Sequence, residues 1–142
     1  MLGIDLGERR IGVAVSDASA TLASPWGTIE RSGDGGADLE ALVEVALGLG
    51  VGRVVVGLPL SLDGRRGRAA RAAQEATDAL RRALEGRAIP VESFDERLTT
   101  VSAQRALAGA GVRGPRQRDR IDQAAAAVLL QAWLDAHRPG RD

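Results

Sequence analysis

Short apolar runs separated by polar links make up the first thirty residues. Residues 1–6 and 10–16 are apolar runs joined by Gly7-Glu8-Arg9, and a three-residue link that contains glycine predicts a β-hairpin. Residues 24–30 predict a third strand, which ends before the glycine-rich turn at residues 32–36. The pattern therefore predicts three consecutive antiparallel strands.

The spacing of apolar residues then changes. Helical spacing predicts a helix from about Ala37 to Leu49, with Gly50 as its end. Residues 51–58 form a continuous β-branched run, which is typical of a strand buried on both faces, and Pro59 ends it.

The second half of the chain alternates helices and strands. After a polar loop at residues 61–67, alanines, leucines and arginines predict a long helix that ends near Glu85, with Gly86 as its stop. Residues 89–95 predict another strand.

The C-terminal third completes the predicted fold. A helix is expected over about residues 99–108, where a threonine can cap its first turn, then a loop over 109–117 and a final helix over about 118–136. Consecutive strands followed by strands that alternate with helices indicate an α/β fold. Its mixed central sheet is antiparallel over the first three strands and parallel afterwards, with helices on its faces. We expect a single domain over residues 1–138 and a short polar tail at 139–142.

The composition limits the available chemistry. The 142 residues include no cysteine, and the single histidine, His137, lies in the polar C-terminal tail, so any metal ion must be bound by oxygen. No apolar run approaches the roughly 20 residues that span a bilayer, so we expect a cytoplasmic protein without a membrane partner. A formal net charge of zero argues against a protein that coats nucleic acid through bulk attraction alone.

All 19 basic residues are arginines, whose planar guanidinium group suits phosphate oxygens. Eight of them fall in two clusters, which are Arg65, Arg66, Arg68 and Arg71, and Arg113, Arg116, Arg118 and Arg120. These clusters are interpreted either as phosphate-contacting surfaces or, equally well, as solvated loop and helix faces.

Asp5 interrupts an apolar strand and shares one face of it with Gly3 and Gly7. Glycine on both sides leaves room for a ligand to approach. A carboxylate buried in mid-strand needs a compensating partner, because its desolvation is costly. The alternative interpretation is a salt bridge from Asp5 to Arg9 or Arg10.

Asp95 and Glu96 stand where the predicted strand 89–95 ends, and strand ends in open α/β sheets commonly bind ligands. The alternative is an ordinary polar turn in which these acids pair with Arg97. Spacing alone favours that alternative.

Asp122 lies on a face of the final helix that should pack inward, together with Ala125, Ala126, Leu129 and Trp133. We therefore expect Asp122 to face Asp5 across the contact between helix and sheet. Asp119, one turn earlier, better fits an acid favoured by the helix dipole.

Three carboxylates cannot all stay ionised close together unless a cation joins them. Magnesium or manganese, as one or two ions, is the natural cation for oxygen ligands and substrate phosphates. A two-ion site would activate the attacking water and stabilise the leaving oxygen without a histidine or cysteine.

Five motifs occur in a specific order over nearly the whole chain: Gly3-Ile4-Asp5-Leu6-Gly7, Arg10-Ile11-Gly12-Val13-Ala14-Val15-Ser16-Asp17, Val56-Gly57-Leu58-Pro59-Leu60 with Asp63-Gly64, Asp95-Glu96-Arg97-Leu98-Thr99-Thr100, and Asp122-Gln123-Ala124-Ala125-Ala126. Together they resemble the YqgF or RuvX-like family of Holliday junction resolvases and pre-16S ribosomal RNA nucleases. The resemblance implies a ribonuclease H-like fold.

The resemblance also implies the residues of the site. Asp5, Glu96 and Asp122 would be the catalytic and metal-binding acids, with Asp95 and Asp119 in reserve. Ser61 stands where the family often has asparagine, and a serine can still donate a hydrogen bond to phosphate. The expected substrate-binding residues are Arg9, Arg10, Ser61, Arg65, Arg66, Arg97, Thr99, Arg116 and Arg118.

The function implied by the resemblance is metal-dependent hydrolysis of phosphodiester bonds in processing the 5′ end of pre-16S ribosomal RNA, by a monomer or homodimer in a ribosomal context. Resolution of branched DNA is the closest alternative. A second alternative is an actin-like nucleotide-binding phosphotransferase, since Asp5-Leu6-Gly7 also resembles the first phosphate motif of that fold. The chain supplies only one of the two domains which that fold requires. A third alternative is a catalytically silent module that binds nucleic acid.

Overall fold

The computed structural model describes residues 1–59, 67–98 and 115–137, and for residues 98 and 115–120 it describes the backbone only. In chain order the elements are β1 (Leu2–Leu6), β2 (Arg10–Ser16), β3 (Ala23–Glu30), α1 (Gly35–Leu49), β4 (Val54–Leu58), α2 (Arg68–Leu84), β5 (Val91–Asp95) and α3 (Pro115–Ala136), with 3-10 turns at Glu85–Arg87 and Glu96–Leu98. Among these residues no helix combines the length and apolar character needed to cross a membrane.

The five strands form one mixed sheet in the order β3-β2-β1-β4-β5. The pairs β1–β2 and β2–β3 are antiparallel, whereas β1–β4 and β4–β5 are parallel. The predicted α/β class and mixed sheet are therefore confirmed. Since β1 lies in the centre, its side chains reach both layers of helices.

One face of the sheet packs against α1 and α2. Leu2 and Ile4 of β1 point to this face and form a buried core with Leu42 of α1 and Leu80 of α2. All four side chains are 3% exposed or less. This apolar core holds β1 in place through the even-numbered residues Leu2 and Ile4 and does not involve the opposite face of the strand.

The opposite face of the sheet packs against α3. Ala14 of β2 and Val55 of β4 pack there with Ala126 and Leu130 of α3. A β-carbon at Gly3 would lie 2.8 Å from Cβ of Leu130, so the helix approaches the sheet closely where β1 has no side chain. Small residues on this face therefore set how near α3 lies to the odd-numbered residues of β1.

The N-terminal end of α1 differs from the prediction, whereas its C-terminal end agrees with it. The helix begins at Gly35 because Asp34 caps it, accepting hydrogen bonds from the backbone N–H groups of Gly36 at 2.9 Å and Ala37 at 3.4 Å. At its other end Gly50 adopts a left-handed conformation with φ 64°, as predicted for a helix stop.

The predicted strand over 51–58 is shorter in the structure, because its first residues serve the end of α1. The N–H of Val51 donates to the carbonyl of Ala46 at 3.2 Å, so β4 starts only at Val54. The strand before the Asp95-Glu96 pair is likewise shorter than predicted and begins at Val91. Pro90 precedes it and has no N–H for the ladder.

The prediction that Gly86 stops α2 is wrong. The helix ends at Leu84, and a 3-10 turn carries the chain through Gly86 to Ala88, which adopts the left-handed conformation at φ 56°. The N–H of Ala88 donates to the carbonyl of Glu85 at 3.3 Å and closes the turn. Local hydrogen bonding, and not glycine, therefore determines this helix end.

The last helix also starts earlier than predicted, at Pro115. Proline suits a first turn because its missing N–H would have no helical partner there. At the C-terminal end His137 is joined to the helix and is not in a polar tail, because its Nδ1 lies 2.8 Å from the carbonyl oxygen of Trp133 and the two rings stack at 3.9 Å. The predicted helix over 99–108 lies outside the described residues.

Candidate functional site

Asp5 lies near the carboxyl end of β1 and is 2% exposed. On β2 it is paired with Gly12. On β4 its neighbour is Gly57, one residue beyond the parallel pair Ile4–Val56. The carboxylate therefore lies on the α3 side of the sheet, with glycine on both neighbouring strands.

Glu96 follows β5 directly, in the 3-10 turn, and is 6% exposed. Its Oε1 lies 2.7 Å from the position that a β-carbon at Gly57 would occupy. Because neighbouring strands are about 4.8 Å apart, this places the Glu96 carboxylate beside Asp5 on the same face. Burial raises the pKa of Glu96, and the negative charge of Asp95 raises it further.

Asp95 has a different environment from Glu96. It forms an ion pair with Arg97 at 2.6 Å between Oδ2 and Nη2, and it accepts the backbone N–H of Arg97 at 2.9 Å. The side-chain hydrogen bond from Arg97 holds the pKa of Asp95 below its usual value. The polar-turn interpretation is therefore confirmed for Asp95, whereas Glu96 turns inward.

Asp122 lies on α3, over the strand next to Asp5. A β-carbon at Gly12 would overlap the backbone carbonyl of Asp122, so the absence of a side chain at Gly12 allows the helix to lie here. The Asp122 carboxylate accepts a hydrogen bond from Nε of Arg10, with 3.0 Å from Nε to Oδ2. These two side chains are 16% exposed for Arg10 and 19% exposed for Asp122.

Glu96 lies over Gly57 and Asp122 over Gly12, on the two strands that flank Asp5. In the part of the chain that the structure describes, no three His, Cys, Asp or Glu side chains are grouped closely enough to hold a metal ion. Asp122 instead pairs with Arg10 on the neighbouring strand. The Asp122 backbone lies over Gly12, the β2 partner of Asp5, and its carboxylate pairs with Arg10; a direct approach of Asp122 to Asp5 stays a prediction.

The residues nevertheless fit a divalent cation of the magnesium type. The available donors are carboxylate oxygens, the ligands that Mg²⁺ and Mn²⁺ prefer. The Glu96 carboxylate enters the space that the missing side chain of Gly57 leaves, next to the side chain of Leu129. Two buried acids placed next to each other in this way are stabilised when a cation joins them.

The glycines that matter at this site are not the two predicted from the sequence. A β-carbon at Gly3 would meet Leu130 of α3, and one at Gly7 would lie 2.6 Å from the carbonyl of Arg10 in the hairpin. The space beside Asp5 comes from Gly12 and Gly57 on the adjoining strands. Both interrupt apolar β runs in the sequence, a signal that a close approach is needed there.

The remaining predicted contacts divide into three groups. Arg9 is exposed in the β1–β2 link, and the Arg97 side chain is bound to Asp95. Ser61, Arg65, Arg66 and Thr99 lie outside the described residues. For Arg116, Arg118 and Asp119 the structure describes only a helical backbone, at the start of α3.

Comparisons with known proteins decide the family. A model of the family described as "RuvX: Holliday junction resolvase" matches residues 1–136. This chain belongs to the RuvX family. The predicted resemblance is thus confirmed, and the nuclease interpretation has the support of a family match over residues 1–136.

Curated relatives support the same membership of RuvX. A protein of Mycobacterium tuberculosis strain H37Rv, named "Putative pre-16S rRNA nuclease", is 52% identical over 134 residues, which are 94% of this chain and 77% of the relative. A protein of Chloroflexus aurantiacus with the same name is 46% identical over 138 residues, covering 97% of this chain and 88% of the relative.

Solved structures show that this RuvX chain has the RuvC-like, ribonuclease H-like fold. Thermus thermophilus RuvC, solved in complex with a Holliday junction substrate, aligns with a TM-score of 0.63 and 19% identity over 98% of this chain and 96% of that chain. The yeast mitochondrial Holliday junction resolvase Ydc2 aligns with a TM-score of 0.55 and 11% identity over 96% of this chain and 80% of its own. At these identities the likeness concerns the fold.

Proposed function

We propose that this RuvX protein is a divalent-metal-dependent nuclease that hydrolyses phosphodiester bonds in precursor 16S ribosomal RNA. One observation carries the proposal. Acids from three separate elements, Asp5 of β1, Glu96 after β5 and Asp122 of α3, lie on the same face of the sheet over neighbouring strands.

The proposed ligands of one or two Mg²⁺ or Mn²⁺ ions are Asp5, Glu96 and Asp122. When bound, the metal supplies a water activated for attack and a positive charge that stabilises the leaving oxygen. The protein contributes a buried floor, since Asp5 and Glu96 are nearly excluded from solvent. Asp95 takes no part in this proposal, because Arg97 holds it at the surface of the turn.

The RNA substrate in this proposal rests on the names of the relatives at 46% and 52% identity. Arg9 is available for the phosphate backbone, because it is exposed in the link that follows the carboxyl end of β1. The same proposal includes contacts from Ser61, Arg65, Arg66 and Thr99, and action as a monomer or homodimer in the cytosol, where ribosomal RNA precursors are made.

Branched DNA is a second candidate substrate, favoured by the family description and by the RuvC-like fold. A junction resolvase requires the same acids as an RNA nuclease, so the site alone does not separate the two substrates. Only a comparison of cleavage rates on RNA and on branched DNA can distinguish the two substrates.

The test compares cleavage of precursor 16S ribosomal RNA, a four-way DNA junction and a matched linear duplex by three proteins. These are the wild type, Asp5→Asn and Asp95→Asn, each with Mg²⁺, Mn²⁺ or EDTA. We expect metal-dependent cleavage of the precursor RNA by the wild type and by Asp95→Asn, and at least a hundredfold loss in Asp5→Asn. Circular dichroism verifies that each variant is folded.

Each alternative has its own outcome in this assay. Preferential cutting of the junction would assign branched DNA as the substrate. Binding without cleavage by the wild type would indicate a silent module, and hydrolysis of ATP in a parallel reaction would indicate a phosphotransferase. Undiminished cleavage by folded Asp5→Asn would remove Asp5 from the mechanism.

A further inference from the structure

Arg10 is a charged residue on the site face of the sheet, and it forms an ion pair with Asp122, one of the proposed metal ligands. In the β1–β2 hairpin the carbonyl of Arg10 accepts the N–H of Gly7 at 3.0 Å. Arg10 and Gly12 are two residues apart on β2, so their side-chain positions point to the same face. Since Gly12 pairs with Asp5, Arg10 lies diagonally next to Asp5 as well as against Asp122.

The contact between Arg10 and Asp122 has the geometry of a charge-assisted hydrogen bond. Nε lies 3.0 Å from Oδ2, and both side chains are more than four-fifths buried. A pair of this kind interacts more strongly than an exposed ion pair, because water screens it less. Arg10 therefore orients the Asp122 carboxylate when no metal ion is bound.

The same contact opposes the binding of a cation. A carboxylate oxygen that accepts a hydrogen bond from the Arg10 guanidinium has fewer lone pairs left to bind a metal ion. The positive charges of the guanidinium and of the metal ion would also repel each other at a separation of a few ångströms. The backbone of Asp122 is held separately, by the packing of α3 against Gly12. Asp122 would consequently stay near the site if Arg10 lost its charge.

We propose that Arg10 is a positioning residue that holds Asp122 in the metal-free protein and sets the affinity of the site for divalent cations by competing for the Asp122 carboxylate. This inference rests on the proposed function, because it takes Asp122 as a metal ligand. With a cation bound, Asp122 would be one of its ligands and would no longer hold the guanidinium of Arg10. The released guanidinium faces the same side of the sheet and becomes available to substrate phosphate.

The experiment measures Mn²⁺ binding by electron paramagnetic resonance of free Mn²⁺, together with thermal unfolding in EDTA and in saturating Mn²⁺. The variants are Arg10→Gln, which removes the charge and keeps hydrogen-bond donors, and Arg10→Lys, which keeps the charge. Arg53→Gln is the matched control, since it breaks an ion pair of similar length, 3.1 Å to Glu92, elsewhere on the sheet.

We expect Arg10→Gln to tighten the Kd for Mn²⁺ on the order of tenfold, which corresponds to about 1.4 kcal/mol. The same variant should lower the Tm in EDTA and show a larger rise in Tm with Mn²⁺ than the wild type. Arg10→Lys and Arg53→Gln should bind Mn²⁺ within about threefold of the wild type. In an Asp122→Asn background, Arg10→Gln should change the Kd much less, because the contested carboxylate is gone.

The possible failures are distinguishable. If the wild type binds Mn²⁺ and Arg10→Gln binds it equally or more weakly while remaining folded, the competition is overturned and the proposed nuclease function stands. If neither the wild type nor Arg10→Gln binds Mn²⁺, the metal requirement in the proposed function fails, and this inference fails with it. If Arg53→Gln lowered the Kd for Mn²⁺ as much as Arg10→Gln does, the change in affinity would come from the overall charge of the protein. That result would also overturn the role of Arg10.

Discussion

The carboxylate of Glu96 occupies the space that a side chain at position 57 would need. Its Oε1 lies 2.7 Å from where a β-carbon on Gly57 would be, and Leu129 Cδ2 lies 2.9 Å from the same point. The absence of a side chain at Gly57 of β4 thus allows the carboxylate of Glu96, which follows β5, to lie at this point.

The first prediction concerns Gly57→Ala. The new methyl group would push aside the flexible end of Glu96, so stability should fall by only about 1 to 2 kcal/mol. Cleavage should fall by roughly a hundredfold, because displacing a catalytic group by about 1 Å is enough for such a loss. The measurement is the cleavage rate at saturating metal together with urea unfolding. A rate close to that of the wild type would mean that the observed position of Glu96 is not needed for catalysis.

Gly12→Ala should behave differently from Gly57→Ala. Its methyl group would meet the backbone of Asp122, which cannot move without the rest of α3. We expect a loss of about 3 kcal/mol or more in the free energy of unfolding, at the upper end of the range for overpacked sites. Gly27→Ala in β3 is the control, since a β-carbon there would have no atom within 4 Å. Equal unfolding midpoints for the Gly12 and Gly27 variants would contradict the close approach of α3.

The pKa shifts predict opposite pH dependences for two acids. The pKa of Glu96 is higher in the folded protein than in the unfolded chain. The protonated side chain therefore contributes its full stability at a pH below the unfolded-state pKa, and this stability is lost as the pH rises through the folded-state pKa. Without metal, Glu96→Gln should therefore be more stable than the wild type at pH 7, and this gain should shrink as the pH falls towards about 4.

For Asp38 we expect the opposite pH dependence of stability. The backbone N–H of Ser32 is the main cause that lowers the pKa of Asp38, so this acid contributes stability above its unfolded value of 3.8 and loses it as the pH falls through the folded pKa. Asp38→Asn should be less stable than the wild type at pH 7 and approach it in acid. Unfolding midpoints measured from pH 3 to pH 8 in EDTA test both variants. A difference from the wild type that does not change with pH would refute the assigned cause.

The last prediction separates Asp122 from Asp119. Asp122 forms an ion pair with Arg10, so the metal-free Asp122→Asn protein should lose about 1 kcal/mol of stability. A gain in stability is expected only when the acid that is neutralised has no positively charged partner. Its metal-dependent cleavage should be abolished. Asp119→Asn should retain most of the activity. Cleavage assays and urea unfolding of the two variants provide the comparison, and the reverse pattern would assign the ligand role to Asp119.

Much of the architecture follows from the sequence alone. The apolar runs at residues 1–6 and 10–16 and the β-branched run before Pro59 predict which segments are strands, because the spacing of apolar residues is a local property of the sequence. The inward-facing stripe of α3 also follows from helical spacing, and Ala125 and Leu129 on that stripe are buried as predicted.

Element ends depended on contacts that periodicity does not encode. Val51 is apolar enough for a strand, yet its N–H bonds the end of α1, and Gly86 is placed like a helix stop although Ala88 takes the left-handed conformation. Hydrogen bonds to carbonyl groups three and five residues earlier decide these two positions, and the spacing of apolar residues does not show which N–H group will make them.

The sequence by itself limited any metal site to oxygen ligands, because it contains no cysteine, and it offered Asp5, Glu96 and Asp122 with Asp95 and Asp119 in reserve. The tertiary structure alone decided how their charges are arranged. It turned Glu96 inward over Gly57, left Asp95 with Arg97 and paired Asp122 with Arg10. The physical reason is that electrostatic energy depends on distance and burial between residues up to 112 positions apart in the chain, and only the packing of strands and helices sets those distances.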